Sequence, residues 1–342
     1  MAIIPAHAQR SVGGGFDNES VAMSAMCAAF HLWARSFRTK GSWPYAMLAG
    51  AAYAGMAATW GGYVFALNVV GLHAGVLLLL RFDFWKLYNS YTAFFLVGTA
   101  GAVSVPVVGW APLRSLEQLG PLALFVVVQL VALQRALPRR VRTTKGASVD
   151  GTQQYLATLG ILGVVVAIVA VLVPSGVFGS GSARVRALFI DSATRTGNPL
   201  VDSVSEHRPS SSSAYWTSLH YARDAAIVSP FCLIPALIVR PSEAAMFLVT
   251  FGAAAQFFSL KMSRLMVLMG PACSVHAGVA FGFVSDFALS PVWRTLDGPS
   301  ALEQKSCALR AFNSVVARTL RVGLAVALAR YACPLAQEFY DT

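Results

Sequence analysis

Charge is what this chain has least of. Of its 342 residues only 12% are charged, and acidic residues number 15 against 26 lysines and arginines. A soluble globular domain is about a quarter charged. Hydrophobic residues reach 56% here, and the mean hydropathy is +0.61. A soluble core of this length cannot shelter so much apolar surface, so lipid must cover part of it. Paired cysteines are also missing. Cys27, Cys232, Cys273, Cys307 and Cys333 form no CxxC pair, which leaves neither a zinc nor a dithiol redox motif. All but Cys307 lie in or beside apolar runs, where a cysteine is a small packing residue. A secretory signal is absent from the start. Residues 1–16 hold one arginine and a glycine run, with no charged region leading into an apolar core.

What is present in excess is positive charge, +11 net. In a soluble protein that would point to nucleic acid. Here the basic residues sit in short clusters between apolar runs, which is the positive-inside pattern of membrane proteins. The expected partner is therefore membrane lipid and not nucleic acid.

A membrane-spanning helix needs about 20 mostly apolar residues. Ten candidate spans are found, at 20–36, 44–60, 62–80, 88–108, 120–137, 154–174, 222–239, 243–261, 264–286 and 312–332. Basic residues follow every odd-numbered span: Arg35, Arg38 and Lys40 after the first, Arg81 and Lys86 after the third, Arg135, Arg139, Arg140, Arg142 and Lys145 after the fifth. Arg240 follows the seventh, and Arg294, Lys305 and Arg310 follow the ninth. One miscounted helix would break this alternation. The expected architecture is an all-α polytopic membrane protein of about ten helices. Helices fill 1–174 and 222–342, and one long polar loop, 175–221, lies on the face opposite the basic clusters. No internal repeat is visible, so an inverted-repeat transporter is not supported.

Three polar features fall on that opposite face. Asp17-Asn18-Glu19 stands where the glycine run Gly13–Gly15 enters the first span. Two carboxylates at a membrane edge suit a hard divalent cation, and an aspartate before a helix is equally an N-cap. Ser203-Val204-Ser205-Glu206-His207 lies in the long loop, as a ligand-bearing segment or as a solvated one. Arg264, with Lys261 just ahead of it, sits between two apolar runs. An arginine there grips phosphate or snorkels to headgroups. Carboxylates and an arginine on one face suit a metal-dependent reaction on a lipid-linked phosphate.

Several strings resemble the STT3 family, the catalytic subunit of oligosaccharyltransferase. Arg10 to Glu19, RSVGGGFDNE, resembles the family's RSVAGSYDNE acidic motif. Trp60 to Phe65 resembles its WGGYVF string, and Phe94 to Gly109 its next span. Ser203 to Pro209, SVSEHRP, is similar to its SVSEHQP segment, and Ser263 to Cys273 to its VRLM…PAAC span. Five such strings occur in the family's order over most of residues 1–290.

The resemblance implies a GT-C-type membrane glycosyltransferase that moves an oligosaccharide en bloc from a polyprenyl (dolichyl) diphosphate to the asparagine of Asn-X-Ser/Thr, using Mn or Mg. Carried over by motif, Asp17 is a catalytic metal ligand, with Glu19 in the same motif. Glu206 is a catalytic metal ligand from the lumenal loop, and Arg264 binds the donor's diphosphate. Arg10, Tyr63, Ser203, Val204 and Ser205 are candidates for the acceptor site. The resemblance also implies an endoplasmic-reticulum location with a lumenal catalytic face, and other oligosaccharyltransferase subunits as partners. Two family elements have no counterpart in the sequence: a first acidic loop ahead of Met1, and a soluble domain with a WWDYG motif. The expectation is the central part of such an enzyme, inactive alone. A silent membrane scaffold is the alternative.

Overall fold

The computed structural model describes residues 4–136, 151–172, 209–239 and 241–297, with isolated positions 319, 320, 322, 323, 326 and 330. Among these there is no strand. The helices are α1 (Pro5–Ala8), α2 (Asn18–Ser36), α3 (Pro44–Thr59), α4 (Tyr63–Leu79), α5 (Phe84–Val103), α6 (Ala111–Arg114), α7 (Leu119–Ala136), α8 (Gly151–Leu172), α9 (Ser212–Leu219), α10 (Tyr221–Val239), α11 (Glu243–Lys261) and α12 (Met266–Asp297).

Nine of the ten expected spans coincide with helices α2, α3, α4, α5, α7, α8, α10, α11 and α12. The tenth, 312–332, lies outside the continuously described residues. Boundaries move where local chemistry overrides the apolar run. Asp83 accepts hydrogen bonds from the backbone N–H groups of Trp85 (3.0 Å) and Lys86 (3.3 Å). That cap starts α5 at Phe84, ahead of the expected 88. The same helix stops at Val103, because Pro106 disfavours helical backbone at the residue before it. The end of the long loop is itself helical: Ser211 caps α9 by accepting from the Ala214 N–H at 3.1 Å.

Among the described residues, four segments are long and apolar enough to cross a membrane: Leu116–Ala136, Gln154–Val171, Glu243–Lys261 and Ser263–Asp286. The pair Ser212–Leu219 and Ala222–Ile238 passes the same measure together, bent by 101°. Helices α3 and α4 are shorter, at 16 and 17 residues, and α2 and α5 are more polar. Trp33, Tyr53, Tyr91 and Phe94, all fully buried, form the aromatic centre where α2, α3 and α5 meet.

Contacts between helix ends reproduce the alternation read from the basic clusters. At one end, Lys86 on α5 pairs with Glu243 on α11 at 2.6 Å. There too, Arg135 on α7 covers the Phe84 ring at 4.0 Å, and Arg81 covers Tyr155 of α8 at 4.5 Å. At the other end, Asn18 of α2 donates to the carbonyl of Thr59, the last residue of α3, at 2.7 Å. Ser210, ahead of α9, bonds the end of α11 through its backbone N–H to the Leu260 carbonyl (3.3 Å) and its hydroxyl to the Ser259 carbonyl (2.6 Å). The acidic motif and Arg264 both belong to this second end.

Candidate functional site

The site begins with a tight loop between α1 and α2. The Asp17 N–H donates to the Arg10 carbonyl at 3.1 Å, and the Gly15 N–H to the Val12 carbonyl at 2.9 Å. Gly14 has φ +89°, a left-handed conformation that costs a residue with a Cβ. A Cβ on Gly15 would stand 2.6 Å from the Gln9 carbonyl oxygen. The glycine run is therefore what lets Arg10 fold back beside the acidic motif. Asp17 is the N-cap of α2, with Oδ1 accepting from the Asn18 N–H at 2.7 Å. The Ser20 hydroxyl donates to the Asp17 carbonyl at 2.6 Å. Capping occupies one carboxylate oxygen of Asp17 and leaves the other for a cation.

Arg264 reaches the same place from the far side of the chain. Helix α11 ends at Lys261, Met262 is extended, and a single 3-10 turn, Ser263–Leu265, carries Arg264 into α12. Its Nε donates to Glu19 Oε1 at 3.0 Å, and Nη2 lies 3.0 Å from the same oxygen. Arg10 faces the other carboxylate oxygens, with Nη1 3.5 Å from Asp17 Oδ2 and Nε 3.5 Å from Glu19 Oε2. Glu19 is fully buried, whereas the Asp17, Arg10 and Arg264 side chains keep 37%, 31% and 39% of their exposure. Two carboxylates and two guanidiniums make a neutral cluster, which is what permits a carboxylate to be buried at a helix start. Its compensation is incomplete: Glu19 Oε2 is buried without a hydrogen bond.

The structure thus brings Asp17, Glu19, Arg10 and Arg264 together. Ser203, Val204, Ser205 and Glu206 lie outside the described residues. Tyr63 starts α4 at the same end but turns into the bundle. It is 6% exposed, its hydroxyl accepts from Gln118 Nε2 at 3.2 Å, and its ring meets Tyr53 at 6.0 Å. Among the described residues, no group of three or more His, Cys, Asp or Glu is placed to hold a metal ion. Sequence reasoning missed Asn18 and Ser20 as ties that seat the motif, although Asn18 lies inside it. It also missed His7. That imidazole is buried in α1 against α12, where a Cβ on Gly270 would stand 2.7 Å from its ring. Burial pushes the His7 pKa below its ordinary value.

Residues 1–277 match the family described as "Oligosaccharyl transferase STT3, N-terminal". The chain is 33% identical over 283 residues to dolichyl-diphosphooligosaccharide–protein glycosyltransferase subunit stt-3 of Caenorhabditis elegans, a match covering 83% of this chain and 36% of that protein. It is 29% identical over 308 residues to subunit STT3 of Saccharomyces cerevisiae, covering 89% and 41%. The chain therefore spans about two fifths of the curated relatives it matches. Its fold resembles the archaeal oligosaccharyltransferase AglB of Archaeoglobus fulgidus, solved in complex with an inhibitory peptide and a dolichol-phosphate. The TM-score is 0.65 at 14% identity, over 94% of this chain and 40% of that one. A second structure of the Archaeoglobus enzyme, tethered to an acceptor peptide containing the NVT sequon, gives a TM-score of 0.61 at 14% identity, over 95% and 38%. With residues 1–277 matched by that family's model and one third of 283 residues identical to a relative of it, the chain belongs to the STT3 family of oligosaccharyltransferases.

Proposed function

We propose that this chain is the membrane-embedded catalytic region of an oligosaccharyltransferase. It transfers an oligosaccharide from a polyprenyl diphosphate to the side-chain nitrogen of asparagine in Asn-X-Ser/Thr, at the lumenal face of the endoplasmic reticulum membrane. The observation that carries this reading is the meeting of Arg264 with the Arg10–Asp17–Glu19 cluster at one end of the bundle.

The donor set suits a hard divalent cation, Mn or Mg. Asp17 Oδ2 and Glu19 Oε2 each stand 3.5 Å from the Arg10 guanidinium, and the second is buried without a hydrogen bond. Such cations take oxygen ligands, about six of them. Asp17 and Glu19 would supply two, and Glu206 a third. Glu206 stands four residues ahead of Ser210, which is pinned to the end of α11.

The chemistry follows from the residues. An amide nitrogen is a poor nucleophile, so the acceptor must be held by carboxylates that accept its N–H groups and take up the proton released as the C–N bond forms. The bond from the sugar's C1 to the diphosphate oxygen breaks as the nitrogen attacks from the opposite face. Arg264 stabilises the charge that develops on the leaving diphosphate. Its Nε N–H holds Glu19, with Nη2 beside the same oxygen, and a guanidinium has five N–H donors, so others are left over for the diphosphate. A bound divalent cation supplies further charge neutralisation at the same oxygens.

Binding of fluorescent dolichyl diphosphate to the purified chain in lipid nanodiscs tests this. Arg264→Gln should weaken binding about tenfold or more, since a charge-assisted contact is worth roughly 1.5–3 kcal/mol. Equal affinity would remove the proposed role of Arg264.

A further inference from the structure

We infer that Arg10 is a built-in stand-in for the divalent cation: its guanidinium occupies the position between Asp17 and Glu19 and must leave when a metal binds there. The inference rests on the reading of Asp17 as a metal ligand. Three observations carry it. Arg10 Nη1 and Nε lie 3.5 Å from Asp17 Oδ2 and Glu19 Oε2 respectively, so the guanidinium bridges the two carboxylates. Glu19 is fully buried, and its Oε2 makes no hydrogen bond, so the arginine leaves that oxygen unsatisfied. The Arg10 backbone is fixed, because its carbonyl accepts from the Asp17 N–H at 3.1 Å and Gly15 packs against Gln9. Its side chain keeps 31% exposure, so the guanidinium reaches solvent directly from the site.

The remaining charge at the site does not compete in the same way. Arg264 binds Glu19 through Oε1 alone, the oxygen on the other side of the carboxylate. A cation at Oε2 can therefore replace Arg10 and leave the Arg264 contact in place. In the metal-free state Arg10 prevents two carboxylates from facing each other bare. In the metal-bound state it is a displaced cation next to the reacting groups. The exchange keeps the cluster compensated in both states and couples metal uptake to a movement of Arg10.

The consequence has a definite sign. If Arg10 were only a structural or acceptor-binding group, Arg10→Gln would still raise metal affinity through lost repulsion, but the charge-conserving Arg10→Lys would leave it unchanged or lower it. As a competitor, its replacement by either residue raises metal affinity. Linked equilibria of this kind typically amount to 5- to 150-fold, and a side chain one-third exposed belongs at the low end, roughly tenfold.

Mn2+ titration of the purified full chain, followed by the electron paramagnetic resonance signal of free Mn2+, tests this without any turnover. Arg10→Gln should bind Mn2+ about tenfold more tightly than wild type, and Mn2+ should raise its Tm by more than it raises the wild-type Tm. Arg10→Lys keeps the charge but contacts one oxygen at a time and should show a gain of about threefold; it serves if the glutamine variant does not fold. Asp17→Asn should bind at least tenfold more weakly. Unchanged or weaker Mn2+ binding in Arg10→Lys, with Asp17→Asn weakened as expected, would overturn the competition while leaving the metal site standing. Unchanged binding in Asp17→Asn would remove the metal reading itself, and the competition with it.

Discussion

Glu19 and Arg264, 245 residues apart in the chain, share a single carboxylate oxygen: Nε and Nη2 of the arginine both lie 3.0 Å from Oε1. This contact joins the first helix after the acidic motif to the turn that opens α12. It explains how a fully buried carboxylate is tolerated there, and it fixes the guanidinium's outer edge in one orientation.

Glu19→Ala should be among the most destabilising changes in the chain. Breaking a buried pair by removing one partner costs about 3–5 kcal/mol. Arg10 and Arg264 remain partly exposed, so water recovers some of that, and about 3 kcal/mol is expected. Thermal unfolding in detergent measures it. A loss under about 1 kcal/mol would mean that the cluster is not a structural brace.

Gly14→Ala tests the loop that folds Arg10 back. At φ +89° a Cβ costs roughly 1–2 kcal/mol. The expected result is a lowered Tm together with weaker retention of Arg10 at the acidic motif, read as altered Mn2+ affinity. An unchanged Tm would show that the turn can relax. Glycine stands at the matching position of the family motif that this sequence resembles, as a left-handed turn residue requires.

The far end of the bundle has its own brace. Trp33 Nε1–H donates to His73 Nδ1 at 3.0 Å, and His73 Nε2 bonds the Glu243 carbonyl at 2.9 Å. Indole only donates, so Nδ1 is the acceptor and Nε2 carries the proton. Trp33→Phe leaves Nδ1 buried without a donor and should cost about 1–3 kcal/mol. A Tm within a degree of wild type would contradict this.

His7 gives a pH dependence. Burial holds its pKa below the ordinary 6.5. The unfolded chain takes up a proton near pH 6.5 while the folded chain does not, so stability falls as pH drops from about 6.5 toward the folded value. A Tm series between pH 5 and 8 should show a shallower acid slope in His7→Phe than in wild type. Identical slopes would remove His7 as a contributor.

The helices were legible because lipid-covered helices need long apolar runs, and the basic clusters gave their alternation. Lys86, Arg81 and Arg135 stand at the end the pattern assigns them. The short helices α1, α6 and α9 were not legible, being four to eight residues of small or polar side chains held by tertiary contacts. The acidic motif and Arg264 could be placed on one face, but their pairing could not. Spacing along the chain fixes a residue's depth and side, whereas the partner across 245 residues is set by how α2 packs against the α11–α12 turn. The same limit hid the bond from Ser210 to the end of α11.

The most direct test of the central claim is an experimental structure of the chain with dolichyl diphosphate and Mn2+ bound. The account predicts the diphosphate within hydrogen-bonding distance of Arg264 and the ion on Asp17. A diphosphate bound elsewhere in the bundle, with the Arg264–Glu19 pair untouched and no ion at Asp17, would contradict it.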